Sequence, residues 1–114
     1  MPRYILRAFV TGIVAIAIVP SESIAADIVP NFNITANCKA ELAGGSSIGE
    51  TLDSCINDER QAKDQLTQAW GTYSTTDKNA CIKETSMDGK PSYVELQTCL
   101  EMAIESNARH GSKK

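Results

Sequence analysis

The sequence predicts an all-α protein: a small, disulfide-stapled helical hairpin or three-helix bundle with an extended N-terminal arm. Two amphipathic stretches carry that reading, because apolar residues recur at about 100° per residue from Ile48 to Tyr73 and again from Tyr93 to Ala103. No segment shows a dependable alternation of period two. Four cysteines in a short chain are the third observation, since a domain of this size buries too little surface to be secure on its core alone.

The first residues read as a secretory leader. Arg3 and Arg7 precede an uncharged run from Ala8 to Val19, and Pro20 breaks it. A spanning helix needs about 20 apolar residues, so this run is short for a retained anchor, the alternative reading. Ser23 and Ala25 stand two apart, which suits signal peptidase and predicts cleavage before Ala26, with cleavage after Ala26 as the rival. The expected organisation is a signal peptide at 1–25, an extended arm and loop at 26–45, a helical domain at 46–110 and a disordered tail at 111–114. A periplasmic or secreted location follows, with no membrane span after cleavage.

In the arm, ADIVPNFNITAN (26–37) has Pro30, three asparagines and no helical period, so it reads as extended up to Cys38. Asn33-Ile34-Thr35 matches the short N-glycosylation pattern, a match common by chance. A loop at Gly44-Gly45-Ser46-Ser47 follows. Ser47 with Glu50 makes a capping box for a first long helix, and no proline intervenes before Pro91. Its stripe is Ile48, Leu52, Cys55, Glu59, Ala62, Leu66, Ala69, Trp70 and Tyr73; Asp53, Asn57, Arg60, Asp64 and Thr67 form the wet face. Gly71 weakens its last turn, so an end between Gly71 and Ser74 is expected.

Thr76 is the expected cap of a shorter second helix, Asp77 to about Thr85, whose apolar content is little more than Ala80, Cys81 and Ile82. Turn chemistry fills Ser86 to Pro91, and Ser92 with Glu95 predicts the start of a third helix running to about Arg109. Tyr93, Leu96, Cys99, Leu100 and Ala103 share its apolar face. Gly111 is a fitting stop.

Cys55 and Cys99 fall on apolar stripes, where a thiol meets a neighbouring element and a crosslink is favoured over a reactive site. The spacings C-x16-C, C-x25-C and C-x17-C lack the close pair of a zinc knuckle, so no metal is expected. Three connectivities remain formally open. The 86–91 loop brings Cys81 and Cys99 alongside each other and leaves Cys38 to clip the arm to the first long helix, which favours Cys38–Cys55 with Cys81–Cys99.

Glu59 is the charged residue inside the first stripe. An unpaired buried carboxylate costs several kcal/mol, so three readings stand: it reaches solvent at the stripe's edge, it pairs with a lysine such as Lys83 or Lys63, or it is a catalytic acid. Nothing recognisable stands beside it for the last role. Trp70 and Tyr73 read as core closing the end of the hairpin, with a partner-binding patch as the alternative. His110 is expected to serve as a helix-terminus charge.

Loss of Arg3, Arg7 and Glu22 with the leader takes the formal net charge from −3 to −4, with both signs mixed along the mature chain. Nucleic acid and anionic membrane are therefore not expected partners. A phosphate loop, a nucleophile elbow and an H-E-x-x-H helix are all missing, so no cofactor and no catalytic residues are assigned.

Cys55, Leu66, Trp70, Cys81 and the block GKPSYVELQTCLEMA (89–103) resemble a family of small exported four-cysteine helical proteins of alphaproteobacteria whose activity is uncharacterised. The resemblance implies a compartment and no activity. A weaker similarity is to LprI-type lysozyme inhibitor domains, exported helical modules with a cysteine before a helix of spaced leucines. The spacing from Cys55 to Leu66, Trp70 and Tyr73 departs from their pattern, so no inhibitory residue is assigned. The expectation is a non-enzymatic periplasmic binding or envelope-associated module with a protein partner; the alternatives are a lysozyme-inhibitor-like protein and a thiol-redox accessory.

Overall fold

A computed structural model of the chain describes residues 28–45 and 48–112, with the isolated positions 15 and 17. The cleavage junction, Ser47 and the last two lysines lie outside the described residues. Four α-helices follow one another: α1 (Ile34–Ala43), α2 (Leu52–Ala69), α3 (Thr75–Thr85) and α4 (Tyr93–Gly111). No strand occurs among the described residues, so the fold is the stapled all-α bundle that the periodicity implies.

The arm is shorter than expected, because part of it is helix. Asn33 accepts a hydrogen bond from the Ala36 amide at 3.0 Å through its side chain, which starts α1 well before Cys38. Among the described residues of the arm, only 28–33 are non-helical. They are nevertheless fixed. The Tyr93 hydroxyl accepts from the Phe32 amide at 2.8 Å and donates to the Pro30 carbonyl at 2.9 Å, while the Phe32 ring packs on the Tyr93 ring at 4.8 Å.

The first long helix also starts later than expected. Gly49 has φ +82°, a left-handed conformation that a right-handed helix cannot include, and Glu50 is not helical. Thr51 takes over as cap: its hydroxyl accepts from the Ser54 amide and the Ser54 hydroxyl accepts from the Thr51 amide, a reciprocal box. Ile48 is therefore outside the stripe and fully exposed, at 102% of its reference surface. From Cys55 onward the pattern holds, with Cys55, Glu59, Ala62 and Leu66 buried and the wet face exposed. α2 ends at Ala69 in a 3-10 turn, Trp70–Thr72, where the Thr72 hydroxyl donates to the Ala69 carbonyl at 2.7 Å.

Helix α3 is capped by Ser74 in place of Thr76. Ser74 has extended backbone and its hydroxyl both accepts from the Asp77 amide and donates to the Asp77 carboxylate. This start is two residues earlier than expected. Ser92 caps α4 as the sequence indicates.

Helix α2 is central, packing on α1 and on α4, and α4 in turn packs on α3. The disulfides follow that plan. Cys38–Cys55 joins α1 to α2 and Cys81–Cys99 joins α3 to α4, with Cα–Cα distances of 5.8 and 5.7 Å that lie in the ordinary range. The α2–α4 joint between the two stapled pairs has no covalent link. It is held by Leu66, Tyr93, Leu96 and Leu100, all fully buried, with Ala62, Trp70 and Cys81 around them. Each such large apolar side chain contributes about 1.5–3 kcal/mol by leaving water. A hydrogen bond from Gln97 to Gln65 at 2.6 Å crosses the same joint at its wet edge.

Candidate functional site

The carboxylate of Glu59 is buried, at 3% exposure, and reaches across the α2–α4 joint to the start of α4. Its Oε1 accepts from the Ser92 hydroxyl at 2.5 Å and from the Val94 amide at 3.4 Å; its Oε2 accepts from the Tyr93 amide at 2.7 Å. The Glu95 amide donates to the Ser92 hydroxyl oxygen at 3.2 Å. The first three amides of α4, which no helical carbonyl can satisfy, are thereby all occupied. A negative group also stands at the positive end of the helix dipole.

This corrects the expected pairing of Glu59 with a lysine. Lys83 is exposed on α3, and Lys63 instead lies over the Tyr93 ring, its Nζ 5.4 Å from the centroid. The ion pair present among the described residues is Arg109 with Glu105, on the exposed end of α4. Nor does Glu59 reach solvent at the stripe's edge. The Ser92 hydroxyl and backbone amides at the start of another helix satisfy its oxygens, a solution that residue-pair reasoning does not find.

Around Glu59 lies a recess of about 400 Å³, lined by Glu41, Glu50, Cys55, Asp58, Glu59, Ser92, Val94 and Glu95. Five of these eight are carboxylates brought from α1, the α1–α2 loop, α2 and α4. Glu41 is anchored there, its Oε1 accepting from the Asn37 amide group at 3.0 Å. Partial burial raises the Glu95 carboxyl above its usual value of 4.5, and the nearby carboxylates of Asp88, Glu41 and Glu59 push it further in that direction. Among the described residues no group of three or more histidine, cysteine, aspartate or glutamate side chains has a metal-holding arrangement. The recess therefore presents negative potential without a coordination cage.

Trp70 is 6% exposed and belongs to the core, which removes it as a surface anchor. Tyr73 is half-buried against it, ring to ring at 6.3 Å, and burial together with the Glu101 carboxylate raises its phenol above 10.0. His110 sits in the last turn of α4 with Nδ1 2.8 Å from the Ser106 carbonyl. All four cysteines are disulfide-bonded. No described helix is long and apolar enough to cross a membrane.

Comparison with protein-family models, with curated proteins and with solved structures gave no match.

Proposed function

We propose that the chain acts as a small exported, non-enzymatic binding or envelope-associated module in the periplasm. The observation that carries this reading is how its reactive groups are used. The four cysteines are bonded in pairs, and Glu59 has both oxygens occupied by the start of α4. A catalyst needs a positioned nucleophile or base with a partner to orient it; binding needs a rigid surface. Two staples and a capped joint provide that surface at low ordering cost. Disulfides also persist best in oxidising compartments, in keeping with export.

The docking face we favour is the acidic recess, which suits a protein partner with a cationic surface. Crosslinked pull-down from native periplasm tests it, comparing the natural chain with an Asp58→Lys/Glu95→Lys variant of confirmed fold. The variant is expected to lose the partner. Undiminished recovery of the same partners would remove the recess as the docking face, and an enzymatic activity lost in Glu59→Gln with the fold intact would remove the non-enzymatic reading.

The recess also favours the lysozyme-inhibitor-like alternative, because it presents one sign of charge in a concavity. Titration of lysozyme activity with the purified domain decides it: no inhibition at molar excess ends that version. The thiol-redox alternative needs a disulfide that opens readily. Thiol titration under denaturing, non-reducing conditions after equilibration at periplasmic redox poise would expose it.

A further inference from the structure

Each disulfide has a glutamate carboxylate beside one of its sulfurs: Glu41 Oε2 lies 3.6 Å from the Cys55 Sγ and Glu84 Oε2 lies 3.6 Å from the Cys99 Sγ. Their exposure differs. Cys38, Cys55 and Cys81 are buried, whereas Cys99 is half-buried and borders a groove of about 390 Å³ with Glu84, Val94, Thr98 and Met102 in its wall. A thiolate must reach a sulfur to break a disulfide, so the 81–99 bridge is approached through Cys99 and the 38–55 bridge is shielded at both ends. The 81–99 bridge also matters to its helix. Helix α3 buries Lys78, Cys81 and Thr85, so Cys81 is its one buried apolar residue; Ile82 is partly buried against the core, and the Asn107 amide group donates to the Asp77 carboxylate at 3.1 Å.

We propose that the Cys99 Sγ is the site at which thiols open this protein, and that the Glu84 carboxylate beside it admits cationic and neutral thiols in preference to anionic ones. The attacking thiolate forms a new S–S bond to Cys99 as the Cys81–Cys99 bond breaks. The electron pair leaves on the Cys81 sulfur, which takes a proton from water. With a dithiol, its second thiolate then displaces Cys99, so the dithiol is oxidised to a cyclic disulfide and the bridge is reduced to two thiols, a transfer of two electrons. Opening frees α3 from α4 while the 38–55 bridge and the Glu59 contact to α4 persist. The approaching thiolate is negative, and the Glu84 carboxylate repels it more when the thiol carries a second negative group. This makes the chain a target of reduction and not a catalyst of it, so the inference holds whether or not the acidic recess docks a partner.

The purified protein with both bridges intact is treated with cysteamine, 2-mercaptoethanol and mercaptoethanesulfonate, whose second groups are positive, neutral and negative, and separately with dithiothreitol. Each rate is divided by the same thiol's rate on a neutral small-molecule disulfide, and quenched peptide mapping follows both bridges. The 81–99 bridge is expected to open about tenfold faster than 38–55 or more, with the mixed disulfide on Cys99 and normalised rates falling from cysteamine to mercaptoethanesulfonate. Glu84→Gln should speed the anionic thiol about threefold and narrow the spread, while the 38–55 rate, the internal control, stays unchanged. After opening by dithiothreitol, the Ile82 amide should exchange faster while that of Leu66 stays protected. Opening of 38–55 first or equally fast, a mixed disulfide on another cysteine, rates indifferent to thiol charge, an unchanged spread in Glu84→Gln, or continued protection at Ile82 would each overturn the proposal.

Discussion

Glu59 and Tyr93, 34 residues apart in sequence, meet where the Glu59 Oε2 accepts the Tyr93 backbone amide at 2.7 Å. That contact ties the middle of α2 to the first residue of α4, across the one helix joint that has no disulfide. The same Tyr93 carries the arm on its hydroxyl. A single pair of neighbours therefore connects the arm, the central helix and α4.

Glu59→Leu keeps comparable volume but leaves the Tyr93 amide and the Ser92 hydroxyl buried without their acceptor. A loss of about 3 kcal/mol is expected, read by urea unfolding. Glu59→Gln should cost less, because its amide oxygen still accepts one donor. Equal stability of Glu59→Leu and the natural chain would show that the cap contributes nothing.

Tyr93→Phe tests the arm. Removing the hydroxyl strands the Phe32 amide and the Pro30 carbonyl while leaving the ring stack in place, at an expected cost of about 1–2 kcal/mol. Amide exchange at Phe32 should accelerate well beyond that at Leu96, whose amide donates to the carbonyl of the cap residue Ser92. Unchanged protection at Phe32 would mean that the ring contact alone holds the arm.

The sequence shows the apolar stripe from Cys55 to Leu66 and the pairing of cysteines, because periodicity and turn chemistry are local properties that position alone reveals. It shows Ser92 as a cap for the same reason. Helix α1 escapes it: ITANCKAELA has little amphipathic contrast, and only the Asn33 cap announces it. The Glu59 cap is harder still, since its donors lie a whole helix away and two of the three are backbone amides. Ser92 with Glu95 reads as a self-contained box, whereas folding turns the Ser92 hydroxyl toward Glu59.

The two disulfides should be separable in their effects. Each closes a loop of similar length, with sequence separations of 17 and 18 residues, so removing either by paired Cys→Ser substitution is expected to cost about 3 kcal/mol. Loss of Cys38–Cys55 should free α1 and the acidic recess first, since Glu41 lies on α1. Non-reducing peptide mapping of the natural chain should show only 38–55 and 81–99 links. Any 55–81 or 55–99 peptide from protein never exposed to denaturant would break the connectivity.

The acidic recess makes stability depend on pH in a definite direction. Glu95 has its carboxyl raised in the folded state by burial and by the carboxylates of Asp88, Glu41 and Glu59, so the folded chain binds this proton more tightly than the unfolded chain does. Stability from this group therefore falls as pH rises from about its unfolded value through the raised folded one, and the penalty is fully present above both. Glu95→Gln removes it. The variant is expected to melt at higher temperature than the natural chain at pH 7, with the difference closing as pH drops below the usual carboxylate range. Added salt should shrink the gap as well, because the repelling groups border solvent. Melting curves of both proteins from pH 3 to pH 8 check this. A Glu95→Gln variant that melts lower than the natural chain at neutral pH would show that Glu95 makes a favourable contact, and that repulsion does not govern the recess.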